Sequence, residues 1–224
     1  MILTMKRLTL CMVALCMVAP GAAALSPTRE DEIRTCLFPE VPTWPDGLDA
    51  PLPHKRLPVI YPHAGAPRWM AAETVLSKIE LSARAWSSCG LELLVVKESN
   101  APLLPVTQTI VIQWSDGQSL GNFGVADRIN RRLTLGPSAF ELLRAKAPEA
   151  IKYSLQLVIS HEMGHFLGLQ RHSRRCIDVM SYYSDDKGTE CISVVPNWKS
   201  GYREYRSHLP TACDIKRCKA LNKP

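Results

Sequence analysis

Apolar residues recur at intervals of three and four in two long stretches of the chain, and they alternate or run together in several short ones. The first helical stretch opens at Pro67 and Trp69 and runs to about Ser87, with Val75, Ile79, Ala83 and Trp86 on one face, and Gly90 stops it. The second is predicted from about Ala150 to Leu167. Pro148 and Glu149 suit its first turn, and Gly168 is placed to end it. The segment Leu57-Pro-Val-Ile-Tyr61 is a short strand candidate. Leu91–Val96 and Thr109–Trp114 read as buried strands, and Phe123–Ala126 and Arg132–Leu135 as two shorter ones around a turn-like Arg128–Arg131. A last helix from about Thr211 to Leu221 has Thr211 as its cap and Asp214 in its first turn. Strand, helix, several strands, helix, loop and helix predict an α+β fold.

The first residues change the picture of where the protein works. Lys6 and Arg7 precede an apolar run from Leu8 to Ala19, and Gly21-Ala22-Ala23-Ala24 offers a small-residue cleavage site, so residues 1–24 are expected to be a secretory signal peptide. The run is short for a bilayer, which needs about 20 apolar residues, and no stable membrane insertion is expected after cleavage. Residues 25–54 carry Pro39, Pro42, Pro45, Pro51 and Pro53 and read as an irregular leader that could serve as a short pro-segment. The folded catalytic domain is expected over residues 55–224. Without Lys6 and Arg7 the chain holds 25 basic against 21 acidic residues, a balance too mild and scattered to argue for nucleic acid. Cys11 and Cys16 leave with the signal. The six that remain (Cys36, Cys89, Cys176, Cys191, Cys213 and Cys218) suggest three disulfides in an exported, extracellular or periplasmic protein, with Cys176 and Cys191 the first pair expected.

The second long helix carries the candidate chemistry. His161 and His165 are four apart, so their imidazoles stand one turn above the other on one face. Two imidazoles so placed can bind one zinc ion at about 2.0–2.1 Å each. Glu162 is rotated off that face and can reach water beside the metal as a general base. A third ligand is needed. Gly168 lets the chain turn, and His172, seven residues past His165, can then return to the metal, with Asp178 as an acceptable substitute. Buried histidines and a glutamate in a helix this apolar would be costly without a metal or partners.

The run His161-Glu-Met-Gly-His-Phe-Leu-Gly-Leu-Gln-Arg-His172-Ser resembles the metzincin zinc peptidases, especially the matrixins and serralysins. In that family the third histidine comes three residues after the glycine. Here Arg171 holds that place and His172 follows one later, so a bulge past Gly168 is expected to deliver it, because arginine stays protonated and cannot ligate zinc. Val179-Met180-Ser181-Tyr182 resembles the family's Met-turn, which implies Met180 as an apolar floor beneath the ligands. Tyr182, with Tyr183 beside it, matches a tyrosine that helps stabilise the transition state in related enzymes. The resemblance covers about residues 55–221. It implies a metzincin-like zincin domain with a small mixed twisted sheet, an active-site helix, a Met-turn and a C-terminal helix, and an edge strand at Phe123–Asp127 that pairs with substrate.

What the resemblance implies is a secreted zinc-dependent endopeptidase acting on a peptide or protein substrate. Its zinc is held by His161, His165 and His172, its general base is Glu162, and Tyr182 assists at the oxyanion. Specificity would depend on loop shape between His172 and Trp198. The alternative is a secreted, disulfide-stapled binding module on the same scaffold, with catalysis weakened by the residue inserted before His172. Cys36 in the leader could block a metal, but a disulfide suits the even count better. Asp46 could play a similar part, although nothing in the sequence singles it out. His54, His63 and His208 are expected to be structural or solvent-facing.

Overall fold

A computed structural model describes residues 28–96, 108–182, 191 and 204–223. The expected signal peptide, Tyr183 and Trp198 lie outside these residues. Five strands form one mixed sheet: β1 (Arg56–Ile60), β2 (Glu92–Val96), β3 (Ile110–Trp114), β4 (Gly124–Asp127) and β5 (Arg132–Leu135), in the order β2-β1-β3-β5-β4. The first four strands in that order are parallel, and β4 alone runs antiparallel, at the edge. Proline is unusual inside a sheet. Pro58 is tolerated in β1 because β3 begins its pairing only at Val59, leaving Pro58 beside β2 alone.

The helices are α1 (Arg29–Arg34), α2 (Ala72–Ser87), α3 (Asp116–Ser119), α4 (Pro137–Lys146), α5 (Ile151–Phe166) and α6 (Ala212–Leu221). The α+β layout expected from the sequence is present. Helix α2 starts later than expected, because Pro67 opens a turn closed by Met70 N–H on its carbonyl at 2.9 Å. A tight turn over Pro148–Ala150 likewise precedes α5. Val75, Ile79, Ala83 and Trp86 of α2 are buried as their spacing requires. Helix α5 buries Leu155, Leu157, Ile159, Met163 and Phe166 around most of its circumference, as a helix enclosed by protein must. Its link to α2 is polar as well as apolar. Trp86 Nε1–H donates to the Ser160 carbonyl at 2.9 Å, and the Ser82 and Ser160 hydroxyls lie 2.8 Å apart. Burying each large aliphatic side chain of this core stabilises the fold by about 1.5–3 kcal/mol.

Helices α1, α3 and α4 are additions to the sequence reading. Helix α4 buries only Phe140, so its apolar periodicity is faint. Helix α1 buries nothing and rests on a Thr28–Asp31 capping box. The C-terminal helix begins as expected. Thr211 Oγ1 accepts from Asp214 N–H at 3.2 Å, and Asp214 Oδ2 accepts from Thr211 N–H at 2.8 Å.

Three disulfides staple the chain: Cys36–Cys213, Cys89–Cys218 and the expected Cys176–Cys191. Cys36 is therefore committed to a bridge. The irregular leader, described from Thr28, lies against the body of the domain. Val41 is buried, Thr43 forms an antiparallel bridge with Ser173, and Ala50 N–H donates to the Gly168 carbonyl at 3.1 Å.

Candidate metal centre

Helix α5 ends at Gly168, whose φ of +93° is a left-handed conformation that favours glycine. A Cβ there would also collide with the Ala50 carbonyl. The chain turns at this point and returns toward the helix, bringing His172 to His161 and His165. The three ring centroids lie 5.0–5.1 Å apart, and one ring nitrogen from each falls within 4.8 Å of the others. Among the described residues this is the one cluster of its kind. The bulge expected past Gly168 thus carries His172 into place. Arg171 points elsewhere, its Nε–H donating to the Gly47 carbonyl at 3.1 Å. Asp178, the substitute ligand considered, is not in the cluster. It is buried against Ser173 Oγ at 2.6 Å, Arg175 at 2.8 Å and Thr211 Oγ1 at 2.7 Å.

The outer nitrogens decide the orientation of the inner ones. His161 Nδ1 is 2.7 Å from the Val179 carbonyl, His165 Nδ1 is 2.8 Å from the Leu169 carbonyl, and His172 Nδ1 is 2.7 Å from Asp46 Oδ2. A carbonyl can only accept, so the protons sit on Nδ1 of His161 and His165, and the Asp46 carboxylate assigns His172 the same way. All three Nε2 atoms then present lone pairs inward. Those of His161 and His172 are 3.2 Å apart, a facing of lone pairs that a shared cation relieves. Burial holds all three imidazoles below their ordinary pKa, His161 well below it and His165 down to about 4, so each is neutral and able to ligate near pH 7. His161 and His172 keep part of their surface exposed, which leaves the cluster open to one more ligand. Three neutral imidazoles with anchored outer nitrogens and an open side could hold a metal ion such as zinc.

Glu162 lies beside this cluster under the edge strand. Burial pushes its carboxyl up to about 7, against a pull downward from the backbone N–H of Ala126 in β4. A cation among the imidazoles would favour the ionised form and lower it again. Gly124 allows the close approach of β4, since a Cβ there would strike Val158 and crowd Glu162.

Met180 is fully buried under α5. A Cβ on Gly164 would collide with its Sδ and crowd Trp86, so the methionine fills the space left between the two histidines of the helix. The backbone N–H groups of Val179 and Met180 reach Asp214 at 2.9 and 3.4 Å, which fixes the turn to the cap of α6. Tyr182 stacks on His172 with centroids 3.9 Å apart, and its hydroxyl donates to Asp46 Oδ2 at 2.6 Å. Burial, and then that contact with Asp46, push the phenol up to about 12. The phenol is therefore on the Nδ1 side of His172, bound to the leader.

No family model matches the chain, and no curated protein matches it. Among solved structures, the chain is similar to one titled "GM1 bound form of the ECX AB5 holotoxin", at 13% identity and a TM-score of 0.42, over 75% of this chain and 80% of that one. At that level the likeness carries no argument about either fold or activity.

The residues that hold the histidines carry little signal in the sequence, and only Asp46 was named there, as a possible latency residue and not as the partner of His172. Val179 and Leu169 act through backbone carbonyls, which any residue supplies. Asp46 and Asp49 lie in the run Pro45-Asp-Gly-Leu-Asp49, which reads as a turn. Their partners are more than a hundred residues away.

Proposed function

We propose that this chain is a zinc-dependent endopeptidase with a metzincin-like catalytic domain, holding its metal through His161, His165 and His172. The observation that carries the proposal is the convergence of three Nε2 lone pairs beside a buried carboxyl that touches an edge strand. Zinc held by three imidazoles supplies Lewis acidity, acidifying water and polarising a carbonyl oxygen. Glu162 takes the proton from the attacking water on a carboxylate oxygen and returns it to the leaving amine. The exposed edge of β4 can pair with an extended peptide and hold the scissile bond over Glu162. Met180, packed beneath Gly164, supports the face of α5 that carries two ligands. For Tyr182 to donate to an oxyanion, its hydroxyl must first leave Asp46.

Secretion belongs to the same reading. It is supported by the signal-like N-terminus and three disulfides, which persist in oxidising compartments. No described helix is long and apolar enough to cross a membrane. The test is a zinc titration of the purified protein beside casein digestion with and without a chelator. Stoichiometric zinc and chelator-sensitive cleavage are expected. Glu162→Ala should keep the metal and lower turnover by about 10²–10⁴-fold. Full activity in that variant would overturn the assignment, and zinc binding without cleavage would favour a binding module.

A further inference from the structure

The leader makes a continuous set of contacts with the loop that carries His172. Asp49 Oδ1 accepts from the backbone N–H groups of Gln170 at 2.7 Å and Arg171 at 2.9 Å. Asp46 Oδ1 accepts from His172 N–H at 3.2 Å, and Asp46 Oδ2 accepts from the same residue's Nδ1–H at 2.7 Å. Three consecutive amides are thus bound by two leader carboxylates. The next turn of the loop is held by backbone pairing. Trp44 N–H donates to the His172 carbonyl at 2.9 Å, and Arg174 N–H donates to the Pro42 carbonyl at 3.0 Å. Asp49 is itself fixed by the Arg217 guanidinium of α6, at 2.7 and 2.9 Å. Gly47 packs closely on Gln170, where a Cβ would crowd the backbone carbonyl.

His161 and His165 need no such help, because α5 sets their positions and backbone carbonyls orient their rings. His172 sits in a loop with no regular structure, and its outer nitrogen is satisfied by a side chain from another segment. We propose that residues 42–50 are a permanent part of the site and that Asp46 is the positioning residue that delivers His172 to the cluster, which gives the leader a role opposite to that of a removable pro-segment. The proposal rests on the metal reading above. Asp46 fixes the Nδ1–H tautomer and so turns the Nε2 lone pair inward, while Asp49 shapes the backbone that brings the ring within reach.

The test needs two readouts, one without metal. In the metal-free, full-length protein, ¹⁵N shifts should report the Nδ1–H tautomer for His172. Asp46→Ala should move it toward Nε2–H, and Asp46→Asn, which keeps a carbonyl acceptor, should restore the wild-type pattern at least in part. In competition with a chromophoric chelator, Asp46→Ala should bind zinc about 10–100-fold more weakly than wild type, with Asp46→Asn between the two. Wild-type tautomer and wild-type zinc affinity in Asp46→Ala would overturn the proposal. A wild-type chain that binds no zinc, yet shows the tautomer change on substitution, would overturn the metal reading and leave the positioning role of Asp46 supported.

Discussion

Gly164 occupies the position between two candidate ligands where any side chain would press into Met180 and Trp86. Gly164→Ala is expected to destabilise the protein by about 1–3 kcal/mol through overpacking, measured as a lower denaturant midpoint at unchanged slope. The same substitution should weaken zinc binding, because the fully buried Met180 must repack beneath the helix that carries two of the ligands. His161, Glu162 and His165 were legible in the sequence because one helical turn places them, and that geometry is local. His172 was legible as a residue type after a glycine. The means of holding it was not, since Asp46 is 126 residues away and nothing in the chemistry of one aspartate names its partner.

Strands and helices were legible where one face is buried. The alternation of Ile110, Ile112 and Trp114 in β3 and the spacing of Val75, Ile79, Ala83 and Trp86 in α2 are direct imprints of the core. Helices α1 and α4 were not, because α1 buries no side chain and α4 only one. Element α6 has a titratable cap. Burial and the neighbouring Asp178 carboxylate raise the Asp214 carboxyl to about 7, and burial raises Asp178 as well. A carboxyl raised on folding binds its proton more tightly in the native state. Its contribution to stability is complete below about pH 4 and is lost as the pH climbs through about 7. The thermal midpoint should therefore fall from about pH 4 to about pH 7 and level off above it, and Asp214→Asn should flatten that slope. A wild-type midpoint constant over this interval would mean that both carboxylates stay ionised in the fold.

In the molecule as a whole, the leader, the turn that follows α2, and α6 are joined through two cysteines of one short helix. The Cys36–Cys213 bridge closes a separation of 177 residues. Replacing both cysteines by serine should cost about 2–5 kcal/mol, read from chemical denaturation of the oxidised protein. The variant should also loosen the leader's hold on the His172 loop, seen as weaker zinc binding. None of this leader packing was legible beforehand, because six prolines in thirty residues describe what the segment cannot form and not where it lies.

Both of those bridges end on α6, and this sets an order of events. A chain released from its N-terminus presents Cys36 and Cys89 long before their partners Cys213 and Cys218 exist outside the ribosome. During that interval the two early thiols can oxidise with each other, and the product must be undone by thiol–disulfide exchange before α6 can dock. Helix α6 brings Asp214 to the turn beneath the histidines and Arg217 to the leader aspartate that shapes the third ligand's loop. The turn and the loop that hold the three histidines therefore gain these braces only after the last helix is in place. Under the zinc-peptidase function proposed above, a nascent chain would be inactive while it is still being made.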